Sequence, residues 1–218
     1  MNSVHSFTKP LQALVGKAPA QTQQAADPDW VYVQQVQAGD VAAFDPLFKK
    51  YSRPLLSVVY HLTSNREDAA DIVQEAAIKA LRSIQRFKGY SNFYTWLYRI
   101  TLNETYSYLR RNRLRRFFSL EGLTQEAAEL PWVRALLADT STQASGAEAF
   151  FLNDLQLRLN QAMQRLSAKH RTVVVLHEIQ GLPLEEVAKI LETSPGTVRS
   201  RLHYAKQELQ KYLKDYVN

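Results

Sequence analysis

Residues 184–202 read Leu184-Glu185-Glu186-Val187-Ala188-Lys189-Ile190-Leu191, then Glu192-Thr193, then Ser194-Pro195-Gly196-Thr197-Val198-Arg199-Ser200-Arg201-Leu202. The first eight place their apolar groups at the spacing of a short amphipathic helix. Glu192-Thr193 makes the turn. Ser194 is a good N-cap, because its hydroxyl can accept one of the amide hydrogens that a helix start leaves unpaired. Pro195 follows at the first helical position, where a missing N–H costs nothing. Beyond it Val198, Leu202, Ala205 and Leu209 recur at spacings of 4, 3 and 4, the buried stripe of a second helix. Thr197, Arg199, Ser200, Arg201, His203 and Lys206 are left on its other faces. Two helices across a short turn, the second capped and basic outside, describe a helix-turn-helix, whose second helix enters the major groove of duplex DNA. An ordinary helical hairpin is the plainer reading of the same pattern.

The residues just before it extend the helical reading. Leu152, Leu155, Leu159, Ala162, Met163 and Leu166 stand at helical spacing. Residues 168–180 form another helix, stopped by Gly181. Val173-Val174-Val175 taken alone suits a strand, since β-branched side chains favour extended backbone; segment length and the glycine stop favour helix. His170 and His177 are seven apart, and His203 has no second histidine at a metal-site spacing. With cysteine absent, no metal site is expected.

Asp29 to Tyr60 reads as two helices about a break at Gly39-Asp40, with Val31, Val33 and Val36 on the first and Phe44, Leu47, Phe48 and Tyr51 on the second. Ser64 with Glu67 three residues on matches a capping box, so a third helix starts near residue 65. Its apolar stripe is Ile72, Val73, Ala76, Ala80 and Ile84. Asp71, Gln74 and Glu75 lie off that stripe. Such a set suits a solvated face or a protein-docking surface, and the residues alone favour the solvated face.

The stretch Arg86-Phe87-Lys88-Gly89-Tyr90-Ser91-Asn92-Phe93-Tyr94-Thr95-Trp96-Leu97-Tyr98-Arg99-Ile100 holds six aromatics among fifteen residues. Aromatics beside cations around a glycine loop suit single-stranded nucleic acid, because rings stack on unpaired bases while cations neutralise phosphates. Trp96, Leu97 and Ile100 read as core. Phe87, Tyr90, Ser91 and Asn92 fall in the loop and have the better claim to bases. The helix runs on past Asn103 into Arg110-Arg111-Asn112-Arg113-Leu114-Arg115-Arg116, five arginines in seven residues, a phosphate-binding patch.

The chain has 218 residues, no cysteine and only 7 glycines, with 27 basic against 21 acidic residues for a formal charge of +6. Missing thiols exclude disulfide scaffolds and thiol chemistry, and scarce glycine favours helices. By segment the charge is +6 over 29–116, −4 over 117–150 and +3 over 151–218. These divisions predict an all-α protein. Residues 1–28 form a disordered tail, 29–116 one small helical domain, 117–149 a flexible acidic linker and 150–218 a second domain with the helix-turn-helix. No apolar run is long enough to span a membrane. Leu11 to Val15 is too short for a signal peptide and is broken by Gln12. A cytoplasmic protein is expected.

At this point the residues resemble an extracytoplasmic-function sigma factor of bacterial RNA polymerase, of the envelope-stress sigma-E kind. The resemblance rests on Gly39-Asp40-x-x-Ala43-Phe44, on Asp71-Ile72-Val73-Gln74-Glu75, on Phe87-Lys88-Gly89 through Phe93-x-Thr95-Trp96-Leu97-Tyr98-Arg99-Ile100-x-x-Asn103, and on Gly196-Thr197-Val198-Arg199-Ser200-Arg201-Leu202. It implies a first domain that reads the minus-10 promoter element and a second that reads the minus-35 element. Asp71, Gln74 and Glu75 then match the surface that grips the beta-prime subunit of core polymerase, whose beta subunit is a further partner. The loop Phe87, Lys88, Tyr90, Ser91, Asn92 and Phe93, with Arg99 and Asn103, matches the part that captures a flipped base, and Arg110 and Arg111 extend it along phosphates. Arg199, Ser200 and His203 match minus-35 contacts, joined by Thr197, Arg201 and Lys206 on the same helix.

The resemblance also implies an anti-sigma factor, often membrane-anchored in this family, a role in a stress response, and a linker threaded through the polymerase near the RNA path. Promoter DNA is the ligand; no cofactor, catalytic residue or small-molecule substrate is expected. The chain departs from the family pattern at Tyr204, where relatives often carry Arg, at Tyr90, where an acidic residue is common, and in its long leading tail. A stand-alone helix-turn-helix regulator leaves the aromatic-basic loop unexplained. A DNA-cleaving enzyme such as a serine recombinase lacks its nucleophile grouping here.

Overall fold

The structure, a computed structural model, describes residues 27–118 and 158–214, with side chains described as far as residue 112 in the first stretch. The leading tail before Asp27, the acidic spacer, Leu152 and Leu155 lie outside the described residues, as do the side chains of Arg113, Arg115 and Arg116.

Helix α1 (Trp30–Gln37) buries Val33 and Val36 and leaves Val31 60% exposed, so the three valines divide between core and solvent. Gly39, at φ +107, ends it in a backbone conformation that only glycine adopts cheaply. Asp40 accepts a bond from the amide of Ala42, and one 3-10 turn, Val41–Ala43, leads into α2 (Phe44–Thr63). Ser64 then takes a left-handed conformation, φ 57, and stops that helix. Helix α3 (Arg66–Ser83) starts where expected but on a different cap. The Oδ1 of Asn65 accepts from the amides of Glu67 (2.9 Å) and Asp68 (3.2 Å), while Ser64 is occupied in ending α2. The stripe Ile72, Val73, Ala76, Ala80 and Ile84 is buried throughout.

Helix α4 (Phe93–Phe118) inserts Phe93, Leu97, Tyr98 and Leu102 between α2 and α3. Thr101 and Thr105 share its buried side, and their hydroxyls bond carbonyls one turn back, Leu97 (3.0 Å) and Thr101 (2.8 Å). That satisfies polar atoms which would otherwise be costly inside a core.

The second unit holds α5 (residues 158–165), α6 (Ala168–Val174), α7 (Leu184–Ile190) and α8 (Pro195–Leu213). Helix α6 runs on through a wide π turn, Val175–Ile179, before Gly181 at φ +69 ends it. Val173, Val174 and Val175 are therefore helical and buried against α8; burial on one packed face overrides their strand preference. There is no strand among the described residues. The fold is all-α, as the patterns require.

The two units touch. Arg171 of α6, only 6% exposed, sends its guanidinium to carbonyls at two helix ends: Leu62 at the end of α2 (2.7 Å), and Met163 (2.8 Å), Gln164 (2.8 Å) and Leu166 (3.1 Å) at the end of α5. Helix C-termini leave carbonyls unpaired and slightly negative, so a buried cation finds compensation there. Gln180 donates to Ser57 Oγ (3.0 Å) and Tyr106 to Thr172 Oγ1 (2.8 Å) across the same junction.

Candidate nucleic-acid interface

The loop between α3 and α4 is built from the inside out. Phe87 and Phe93, expected among the base-contacting residues, are instead core: Phe93 is fully buried and Phe87 nearly so. Phe87 packs on Trp96 at 4.8 Å between ring centroids and on Trp30 at 6.1 Å, and Phe93 lies 5.7 Å from Trp96. Apolar rings bury wherever the fold provides a pocket, and here α1 supplies Trp30 as its wall. The segment between them turns at Gly89, φ +68, and presents Lys88, Tyr90 and Asn92 outward, with Ser91 half-buried. Tyr90 is the most exposed large apolar side chain of the described residues, at 66%.

Arg99, Asn103 and Arg110 follow along α4 at spacings of 4 and 7, hence on one face, with Arg111 beside them. Asn103, Arg110 and Arg111 are exposed. Arg99 is not free: its Nε and a terminal nitrogen donate to the carbonyl of Lys189 (3.2 and 2.7 Å), and its other terminal nitrogen lies 3.2 Å from the carboxylate of Glu192. The helix-turn-helix of the second unit thus covers one of the residues expected to read the first promoter element.

That motif has the geometry its sequence requires. Ser194 Oγ accepts from the amide of Thr197 at 3.1 Å, with Pro195 at the first position, and Glu192 makes the turn at φ 50. Val198, Leu202 and Ala205 are buried against α6 and α7, and Leu209 packs on the edge of that core. Arg199, Ser200, His203 and Lys206 are exposed. Thr197 and Ser200 are partly engaged in the helix itself, Ser200 Oγ donating to the Thr197 carbonyl at 3.0 Å. Arg201 is half-buried and close enough to Tyr106 for its charge to oppose the rise that burial imposes on that phenol. Lys206 pairs with Glu178 at 2.7 Å. Tyr204, at the departure from the family pattern, is exposed beside His203.

On α3, Asp71, Gln74 and Glu75 are exposed together. Sequence reasoning missed what completes this face. Asp68, earlier on α3, and Glu104, on α4, join Asp71 and Glu75 around a shallow groove that also includes Arg111. Lys79 bridges part of it, 2.6 Å from Glu104 and 3.8 Å from Glu75. Glu104 lies 29 residues from Glu75 in the chain, and only the packing of α4 on α3 brings them together. The face is acidic and suits a basic protein surface. Behind the loop, burial pushes the phenols of Tyr51, Tyr94 and Tyr98 well above their ordinary range, so they stay neutral core groups. Among the described residues no helix is long and apolar enough to cross a membrane.

Residues 47–115 match the model of sigma-70 region 2 and residues 156–209 that of sigma-70 region 4. The RNA polymerase sigma-H factor of Pseudomonas aeruginosa is 35% identical over 85% of this chain and 93% of its own length. The ECF RNA polymerase sigma-E factors of Haemophilus influenzae and Escherichia coli are 35% and 32% identical, over 84% and 83% of this chain and 93% and 92% of theirs. Among solved structures, the sigma factor RpoE of Bartonella quintana, in complex with the anti-sigma factor NepR, aligns at TM-score 0.54 and 29% identity over 73% of this chain and 89% of that one. CnrH, in complex with the cytosolic domain of CnrY, shares the fold at TM-score 0.61 and 21% identity over 87% of this chain and 99% of its own. An acidic helix face, an aromatic-backed loop and a capped helix-turn-helix thus stand in family order along one chain, and the chain belongs to the sigma-70 family of RNA polymerase sigma factors, in its extracytoplasmic-function group.

Proposed function

We propose that this chain joins core RNA polymerase through Asp71, Gln74 and Glu75 on α3, with Asp68 and Glu104 deepening the acidic face, and that it directs initiation from a dedicated promoter class. Residues 29–116 act as the minus-10 unit and 150–218 as the minus-35 unit, joined by 117–149 inside the polymerase. The presence of loop and helix-turn-helix in one chain carries this reading, because a duplex-only regulator needs the second alone. Helix α8 anchors on duplex through Arg199, Ser200, His203 and Lys206, with Thr197 and Arg201 at its margins. Lys88, Tyr90, Ser91 and Asn92 then hold an extruded base, flanked by Arg99 and Asn103 and by phosphate contacts at Arg110 and Arg111. Gripping the unpaired form alone shifts the duplex towards an open bubble. No bond is made or broken on this chain.

An anti-sigma factor, as in the complex of the Bartonella quintana relative, holds the chain in the cytoplasm until a stress signal releases it. Because Arg99 is held by Lys189 and Glu192, promoter reading follows separation of the two units. The test is run-off transcription with bacterial core polymerase on a library of promoter-like sequences, with Asp71→Lys and Glu75→Lys variants beside the wild type. Initiation from a selected subset, lost in the variants, is expected. No stimulation, with tight duplex binding by the chain alone, overturns the reading in favour of a stand-alone regulator.

A further inference from the structure

The loop from Lys88 to Asn92 is tethered at both ends from a part of the chain that is remote in sequence. At its start, Gln37 Nε2 donates to the carbonyls of Ile84 (2.8 Å) and Phe87 (2.9 Å). The exchange is reciprocal, since Gln85 Nε2 donates back to the carbonyls of Val36 and Gln37, both at 3.3 Å. At its end, the amide of Phe93 donates to Asp27 Oδ2 at 2.6 Å, while Asp27 Oδ1 accepts from the amide of Asp29 at 3.0 Å. Phe93 is the first residue of α4, where the amide has no partner within the helix and the helix dipole favours a negative charge. Composition alone places Asp27 in the tail; here it is a buried N-terminal cap lent to a helix 66 residues away.

We propose that Asp27 and Gln37 are positioning residues for promoter reading, fixing the two ends of the loop so that its exposed side chains meet an unpaired base without first being ordered. The inference rests on the assignment of that loop to the minus-10 element. Asp27 is 7% exposed and cannot itself reach DNA, so it acts through the backbone it holds. A short loop with a glycine at its turn has freedom to lose on binding. Tying its ends beforehand removes much of that cost and fixes which base fits. The rings of Phe87 and Phe93 set the depth of the loop; the two polar tethers set its direction and register.

The experiment uses the full chain with core polymerase. It reads the ratio of run-off initiation from a selected promoter to that from the same promoter with the captured minus-10 base changed. Affinity for core, by competition with a second sigma factor, is measured alongside. Asp27→Ala, which removes a charge-assisted hydrogen bond, and Gln37→Glu, which removes two neutral ones and turns a carboxylate on the carbonyls they reached, are each expected to lower the ratio about tenfold, with core affinity unchanged. Asp27→Asn keeps one acceptor for the Phe93 amide but loses the charge and the second acceptor that takes the Asp29 amide, so it restores only part of the ratio. Gln37 is only half-buried, so Gln37→Glu tests the tether without emptying the core. A Tyr90→Ala, Asn92→Ala double variant marks the loop's own contribution. If that double variant loses discrimination while Asp27→Ala and Gln37→Glu keep it, the positioning role is overturned alone. A silent double variant overturns the loop assignment and the tethers with it. Equal loss of core affinity and of initiation from both promoters in the tether variants reduces Asp27 and Gln37 to structural residues and overturns the proposal.

Discussion

Arg171 is a buried cation whose compensation comes from carbonyl oxygens at the ends of α2 and α5. Burial pushes its guanidinium below the ordinary arginine value, yet four helix-end carbonyls and the Gln164 side chain hold it. Arg171→Met removes the donors that this buried guanidinium offers to the carbonyls of Leu62, Gln164 and Leu166, so urea unfolding is expected to show a loss of about 3 kcal/mol. Arg171→Lys recovers only part, because an ammonium cannot reproduce the planar fork. His61, in the last turn of α2, shows a second residue-scale effect. Burial lowers its pKa below the ordinary 6.5. The unfolded chain therefore binds the proton first. Stability is full above pH 6.5 and falls as the pH drops from there towards the folded-state value. A His61→Gln variant is expected to flatten that part of a pH series of urea melts.

At the scale of elements, local chemistry and packing each decide different things. The start of α8 is local: Ser194 and Pro195 would cap a helix in almost any context. Ser194→Ala is expected to cost about 1 kcal/mol of stability. It should also weaken minus-35 duplex binding in an anisotropy titration, since Thr197 and Arg199 lie in the turn that frays. The boundary between α2 and α3 is only half local. The sequence pattern places the cap at Ser64, but the left-handed turn that α2 needs takes Ser64 for its ending, and Asn65 caps the start of α3 instead.

Across the whole molecule, the proposed function makes the junction between the two units an obstacle to promoter engagement, since Arg99, bonded to Lys189 and Glu192, cannot also face DNA. The chain has no cysteine, so an introduced pair reports without background. Ser57→Cys with Gln180→Cys replaces side chains hydrogen-bonded at 3.0 Å across the junction. Joining the two thiols with a short bismaleimide is expected to lower promoter-dependent run-off about tenfold or more, because the open form is removed from the equilibrium. The same double variant left uncross-linked should stay active.

Periodicity, caps and charge were enough, from the residues alone, to determine an all-helical chain, the helix-turn-helix and an aromatic-basic loop between two helices. Helical spacing and N-caps are local properties that need no partner to be recognised. The exposure of Tyr90, Asn92, Arg199 and His203, on which the proposed interface relies, was legible because these are polar or aromatic groups outside any apolar stripe. Only the tertiary structure decided the rest. It turned Phe87 and Phe93 inward, because Trp30 and Trp96 form a pocket that no local pattern announces. It recruited Asp27 and Gln37 to the loop, brought Glu104 to Glu75, and turned Arg99 towards Lys189 and Glu192. Each of these depends on groups far apart in the chain, and such contacts exist only once the helices have packed.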